Sequence, residues 1–437
     1  MIERKKKAAL AAMACCVTWL CAAPGQAEDE CGRLTRSNVV RCALRASLSL
    51  QRERLGVEAQ EGRVRAVSPL LPSNPSLSLL GGHRQAMGSQ SSGARATNWY
   101  ATLAQEVEIA GQRSARRAAA SAAKSAQVYA TSSAAREVAA TAWRAYFEAL
   151  AAREALASAA HLEQAFAHVS EAAQAAAARG LLSGVDADVA DLTLVKLGQT
   201  RLEAQHRLDA ASAMLASLTG SDPVAANLAV EGELTALEGA SAVSRAHARE
   251  AVERQPALAQ AEQTRAAYEQ TAVALRRARV PNLTVSVFAQ RDGFDERVLG
   301  GGVSLPIPLP APLGRTHRGE IAENQALARQ ASAGREGLRR EALLELVQAQ
   351  SAFETARAAV ALFSEERVAR ADQGLTSIAN ELGAGRLSIA SVVLAQQTLI
   401  DFLRAHIAAR LTLCLASVEL VRAAALPLDA SLAGGSR

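Results

Sequence analysis

The stretch Val298–Glu320 reads VLGGGVSLPIPLPAPLGRTHRGE. Three glycines run into an alternation of valine, leucine and isoleucine that then fills with prolines. Proline offers no backbone N–H and fixes φ, so it breaks a helix interior and is tolerated in a sheet only where a strand is leaving it. Leu299, Val303, Leu305 and Ile307 repeat with a period of two, the spacing of a strand with one apolar face. The stretch therefore predicts a strand over about 298–308. Gly300, Gly301 and Gly302 would let it bend or twist. Pro306, Pro308, Pro310 and Pro312 would mark its exit into a helix.

The surrounding chain is written for long helices. From Gly111 to Gly180 there is no further glycine or proline, and the residues between are alanine-rich helix formers. As one helix or two end to end they would reach about 100 Å, far beyond the needs of a globular domain. A second run, from about Gly319 to Ser388, is relieved only by glycines such as Gly334, Gly337 and Gly374. Apolar residues make up 49% of the chain but aromatics only 3%, as closely packed alanine-rich helices require.

The two rods belong to an internal repeat. EGRVRAVSPLLPSNPSLSLLGG (Glu61–Gly82) corresponds to ALRRARVPNLTVSVFAQ (Ala274–Gln290): a helix ending in arginines, a proline stop, then an alternating strand. NWYATLAQEVEIAGQR (Asn98–Arg113) corresponds to GGGVSLPIPLPAPLGR (Gly300–Arg315), a second strand entering a long helix. RGLLSGVDADVADLTL (Arg179–Leu194) corresponds to GRLSIASVVLAQQTL (Gly385–Leu399), a tight turn and a returning helix. Strands are expected at about 75–84, 98–109, 282–290 and 298–308. Leu77, Leu79, Trp99, Ala101, Leu103, Val107, Ile109, Leu283, Val285, Val287 and Ala289 would occupy the apolar faces. Thr284, Ser286, Gln290 and Ser304 would lie opposite. One apolar and one polar face suits a water-filled barrel in lipid, yet four strands cannot close one, and open edges in hydrocarbon leave backbone groups unpaired. Copies must combine.

The ends set the compartment. Residues 1–27 carry a basic cluster (Arg4, Lys5, Lys6, Lys7), a short apolar run and small residues at Gly25 and Ala27, the pattern of a cleaved secretory signal. They hold four basic residues and one acidic, so their removal lowers the formal charge from +5 by three, which leaves no basic stripe for nucleic acid. Cys31 and Cys42 would then stand in an oxidising compartment, either as a disulfide or as a free thiol and a small apolar helix residue. The sequence leaves both open.

Taken together, the two-fold repeat, the strand starts SNPSLSLLGG and RVPNLTVSV, GVSLPIPLP feeding a helix, and AVERQPALAQAEQTRAAYEQ (Ala251–Gln270) resemble the outer-membrane efflux protein family, the TolC family, over essentially the whole exported chain. The resemblance implies a mainly α fold with membrane β. Long antiparallel helices would form a periplasmic α-barrel, and four strands per protomer would contribute to a trimeric twelve-stranded β-barrel. It divides the chain into a signal (1–27), a first repeat (28–220), a linker (221–243), a second repeat (244–426) and a C-terminal tail (427–437). It implies a homotrimer in outer-membrane lipid, a passive exit duct joined to a periplasmic adaptor and an inner-membrane pump of the resistance-nodulation-division type. RVLGGGVSLPIPLP (Arg297–Pro310) is most similar to the branch that serves cobalt-zinc-cadmium-type pumps. A type I protein-secretion duct is the alternative within the family, and a structural periplasmic coiled coil the alternative outside it.

Within that frame, Asp186, Asp188 and Asp191 of GVDADVAD are the candidate periplasmic gate, set against the simpler reading that Asp186 caps a helix. Arg179, Gly180, Leu181, Leu182, Gly385, Arg386 and Leu387 are candidate contacts for the adaptor or pump, with Gly180, Gly383 and Gly385 allowing tight or left-handed backbone. His161 and His168, two helical turns apart, are about 10 Å from each other and too far to share a metal. His83 and His317 lack close acidic or cysteine company. Neither a catalytic constellation nor a phosphate loop is present, and no cofactor or metal is expected.

Overall fold

The structure, a computed structural model, describes residues 31–85, 95–224, 228–291, 296–314, 316–383 and 389–429. In chain order the elements begin β1 (Arg33–Leu34), α1 (Val39–Ala46), α2 (Leu48–Ala66), β2 (Ser76–Gln85), β3 (Arg95–Val107), α3 (Gln112–Ala178), α4 (Gly184–Thr219) and β4 (Ala229–Val230). They continue α5 (Ala248–Glu253), α6 (Pro256–Arg277), β5 (Leu283–Arg291), β6 (Arg297–Ser304), α7 (Arg318–Ala361), α8 (Glu365–Gly383) and α9 (Ile389–Ala423). The chain forms two units: a helical one of Met1–Leu48, Arg136–Arg245 and Leu346–Arg437, and a sheet-bearing one of Ser49–Ala135 and Ala246–Glu345.

Helix α3 has 67 residues, a rise of about 100 Å. Within the helical unit its later part, α4 and α9 pack small-to-large: Ala139, Ala140, Ala142 and Ala149 are buried beside Trp143, Tyr146, Phe147 and Leu150. The three aromatic rings cluster at centroid distances of 5.4 to 5.7 Å. Their polar atoms are satisfied, as buried polar atoms must be: Trp143 Nε1 donates to Leu428 O (2.9 Å) and Tyr146 Oη to Glu231 O (2.6 Å). Glu231 and Leu428, in stretches read above as linker and tail, thus supply core contacts. Arg36 lies over the Trp143 ring at 5.8 Å and donates to Ala236 O, while β1 pairs in parallel with β4. Cys31 and Cys42 form a disulfide. Cys414 is fully buried, its thiol pushed up to about 11 by burial, and packs as a small apolar residue.

Glu419 bridges two arginines, accepting from Arg144 Nε at 2.6 Å and Arg422 Nε at 3.0 Å. Burial pushes this carboxyl up, but Arg144 and Arg422 outweigh it and hold it below the usual carboxylate range. A lowered folded-state pKa stabilises above the ordinary carboxylate value and loses that stabilisation as pH falls through the lowered one. Glu419→Gln is therefore expected to shrink the difference in melting temperature between pH 7 and pH 3, relative to the wild type.

The second rod departs from expectation. It is two helices, α7 and α8, broken at Leu362–Ser364, where the sequence has neither glycine nor proline. Gly334, Gly337 and Gly374 stay helical. The break is made by capping: Ser364 accepts the Arg367 N–H through its backbone (2.9 Å), Glu365 and Glu366 fill the first turn of α8, and Arg367 Nη1 holds the Leu362 carbonyl at 2.7 Å. Phe363, freed from the helix, packs 5.2 Å from Phe402 and 5.4 Å from His406.

Candidate functional site

In the sheet-bearing unit the strands run in the order β2-β3-β5-β6, all antiparallel. The two hairpins, one from each half of the sequence, meet along β3 and β5. Register pairs Leu77 with Leu103 and Leu103 with Val287, and pairs Leu79 with Ala101, Ala101 with Ala289 and Ala289 with Leu299. One face is therefore a continuous apolar band, and it is open: Leu79 is 71% exposed and Leu299 84%. The other face carries Ser78, Thr102, Thr284, Ser286, Gln290 and Ser304, together with a Tyr100–Phe288 ring pair 5.6 Å apart. β2 and β6 each have one edge without a partner among the described residues. No described helix is long and apolar enough to cross a membrane.

The triple glycine answers to its cross-strand partners. Gly300 pairs with Phe288, and a Cβ there would stand 2.5 Å from Phe288 Cζ, so the ring lies over the bare backbone. Gly302 pairs with Ser286, whose Oγ donates to the Gly302 carbonyl at 3.2 Å. Gly301, on the apolar face, has only an ordinary contact at 3.6 Å. All three lie in regular paired strand, so close approach replaces bending as the reason for at least Gly300. Gly300→Val is expected to destabilise by about 1–3 kcal/mol through this overlap, with Gly301→Ala near neutral. The midpoint of thermal unfolding of the detergent-extracted protein would rank the two.

β6 ends at Ser304, four positions short of the expected 308, because Pro306 and Pro308 supply no N–H for a ladder. Leu305–Pro310 continues without regular structure, leaving Ile307 82% exposed. A turn then closes where the N–H groups of Leu313 and Gly314 both reach Pro310 O at 3.0 Å. Gly314 is obligatory there, since a Cβ would stand 2.2 Å from Leu309 O. His317, expected to lack acidic company, bonds Glu320 instead: its positive φ of 52° opens α7 and folds the imidazole over the first turn.

At the junction with α3, β3 ends at Val107, so Ile109 falls outside the strand. Gly111 takes the left-handed conformation (φ 69°). The buried Gln112 then ties three segments together. Its Oε1 accepts from Ala110 N (2.9 Å) and its Nε2 donates to Val280 O and Asn282 Oδ1 (both 3.1 Å), while Asn282 Nδ2 donates to Glu106 Oε1 (2.8 Å). Sequence reading passed over Gln112 and Asn282. The one available signal was the asparagine recurring at both strand starts, Asn74 and Asn282.

In the helical unit α3 ends in a left-handed glycine cap. Gly180 has φ 72°, its N–H reaches Ala177 O (2.9 Å), and the Leu181 N–H reaches Ala176 O (3.0 Å). Arg179 and Leu181 are exposed, but Leu182 turns inward against the core of Leu162, Phe166, Val169, Val392 and Ile400. α4 is capped by Ser183, whose Oγ accepts from Val185 N (3.1 Å), so Asp186 is not the cap. It stands half-buried in the first turn, where the helix dipole favours a carboxylate. Asp188 and Asp191 are exposed one and two turns along. Gly385, Arg386 and Leu387 lie outside the described residues. His168 lies 3.9 Å from Glu171, and no group of three or more His, Cys, Asp or Glu gathers among the described residues.

Residues 39–221 match the family model for outer membrane efflux proteins. The fold is similar to that of CusC, whose crystal structures concern folding and transmembrane channel formation: TM-score 0.72, 14% identity, 89% of this chain and 91% of that one. It is similar also to the outer membrane protein VceC of Vibrio cholerae (TM-score 0.70, 18% identity, 90% of this chain and 96% of that one). The open state of the Neisseria gonorrhoeae MtrE outer membrane channel gives 0.66 at 18% identity, over 90% and 89% of the two chains. At these identities the likeness establishes the fold. No curated protein matches in sequence.

Proposed function

We propose that the chain is one protomer of a trimeric outer-membrane exit duct that passively conducts substrate received from an inner-membrane pump, of the resistance-nodulation-division type, through a periplasmic adaptor. The observation that carries this reading is the sheet, with a bare apolar face, a more polar opposite face and two edges unpartnered among the described residues, in a fold shared with outer-membrane channels. Three copies pairing β2 of one with β6 of the next would satisfy both edges and close twelve strands, which lipid demands of any spanning sheet. The long helices would then enclose the periplasmic passage. The exposed Arg179 and Leu181 beside Gly180 would meet the adaptor or pump. Heavy-metal cations are the favoured cargo, on the resemblance of Arg297–Pro310. Loss of cobalt, zinc or cadmium tolerance on deletion supports that cargo, and loss of tolerance to organic compounds alone removes it.

Threefold repetition of Asp186, Asp188 and Asp191 would build an acidic ring that concentrates cations and disfavours anions. Asp186→Asn combined with Asp188→Asn is expected to reduce the cation-over-anion permeability ratio in planar bilayers several-fold. An unchanged ratio and conductance would leave these carboxylates as helix-dipole partners only.

A further inference from the structure

The apolar face of the sheet is charged at one end only. Residues that share it by register include no aspartate or glutamate, and among those whose side chains are described the basic ones stand only in its last rungs before the hairpin loops. His83 pairs with Thr97, and Arg291 lies directly across from Arg297. All three side chains are exposed, and Arg291 also has a partner within the chain. Trp99 pairs with Arg291 on the neighbouring strand and is 45% exposed, so an indole stands where the apolar band gives way to cations. The opposite end of the same face finishes in Gln105, Val107 and Leu283, without charge.

We propose that the loop end of this face binds the phosphate groups of the glycolipid in the outer leaflet of the outer membrane. The proposal rests on the reading that the sheet spans that membrane. In that setting the loop end faces outward, since the opposite end leads into the helices. The outer leaflet of such a membrane is built of a phosphorylated, acylated disaccharide, whereas the inner leaflet is ordinary phospholipid. The charge asymmetry of the face follows the charge asymmetry of the bilayer. Acyl chains cover Leu79, Val287 and Leu299, Trp99 sits at the interface, and the planar guanidinium groups of Arg291 and Arg297 meet phosphate oxygens through paired N–H bonds. His83 adds a donor on the next rung. Threefold symmetry would repeat the cluster around the barrel.

The test uses the full exported chain, extracted in detergent and reconstituted into phosphatidylethanolamine vesicles doped with either bisphosphorylated lipid A or its dephosphorylated form. Vesicle flotation reads insertion, and native mass spectrometry reads retained glycolipid. Bisphosphorylated lipid should be retained about tenfold over the dephosphorylated form. Arg291→Gln with Arg297→Gln should abolish that preference while still floating, and Arg297→Lys, which keeps charge but loses the paired geometry, should keep part of it. Equal retention of the two lipids by the wild type overturns the proposal, as does an undiminished preference in the double variant. Displacement of the lipid by inorganic phosphate also overturns it, because the site would then take free phosphate. A double variant that fails to insert leaves the decision to the wild-type comparison and to Arg297→Lys. A wild type that floats with neither vesicle shows instead that the sheet is not a membrane element, and the proposal falls with that reading.

Discussion

Leu79→Arg is expected to abolish assembly of the protein in the outer membrane, whereas Ser78→Arg, one residue away, should leave it intact. The two side chains lie on opposite faces of β2: register puts Leu79 in the apolar band with Ala101, Ala289 and Leu299, and Ser78 on the face of Thr102, Phe288 and Gly300. Leu79 is 71% exposed and Ser78 is exposed too, so neither change meets a packing barrier in the isolated chain. What would separate them is the solvent each face meets in the proposed barrel. Near the middle of a bilayer an arginine on the lipid face of a barrel costs about 2–4 kcal/mol, and the proposed trimer would incur that cost three times. On a water-filled interior the same arginine costs little. Comparing the amount of each variant in outer-membrane fractions reads the difference. Equal tolerance of the two would mean that the apolar face does not meet lipid.

Trp143→Ala is the second large effect, expected to destabilise the helical unit by about 3–5 kcal/mol. Trp143 is 5% exposed, stacks on Phe147 at 5.4 Å, lies under Arg36 and donates its indole N–H to Leu428 O. Truncation empties the largest side-chain volume in that cluster. It also orphans the Leu428 carbonyl and removes the platform that holds the segment after α9. Trp143→Phe keeps most of the volume and loses the hydrogen bond, so it should cost about 1–3 kcal/mol. Denaturant unfolding followed by circular dichroism, dominated by helix, would order wild type, Phe and Ala in that sequence. An alanine variant as stable as the wild type would show that the cluster does not organise the unit.

How much of this was legible depended on whether the cause lay along the chain or across it. Leu77 and Leu79, or Val285 and Val287, declare a strand face by period alone, and the observed register puts all four on one face. Gly180 ends α3 in the left-handed conformation that a lone glycine after an alanine run suggests. Causes lying across the chain were hidden. Gly300 is explained by Phe288, its partner over the hairpin, and no local pattern names that partner. The cap of α4 is Ser183 rather than Asp186, a choice between two good capping residues settled by which backbone leaves the helix. The Leu362–Ser364 break has no glycine or proline to announce it, only a serine before two glutamates. Leu182 looked like its exposed neighbour Leu181, and only packing against Phe166 and Ile400 separates them. β1 and β4 are two residues each and far apart in sequence, below what periodicity can register.

If three copies of this chain close the barrel that one cannot, electron cryo-microscopy of the detergent-extracted protein will show a threefold particle. Its twelve-stranded barrel would place β2 of each copy beside β6 of the next, with the apolar band outward in the detergent belt and Ser78, Thr102 and Ser286 lining the interior. A monomer with β2 and β6 still unpaired, or a closed assembly with Leu79 and Val287 facing inward, would contradict it.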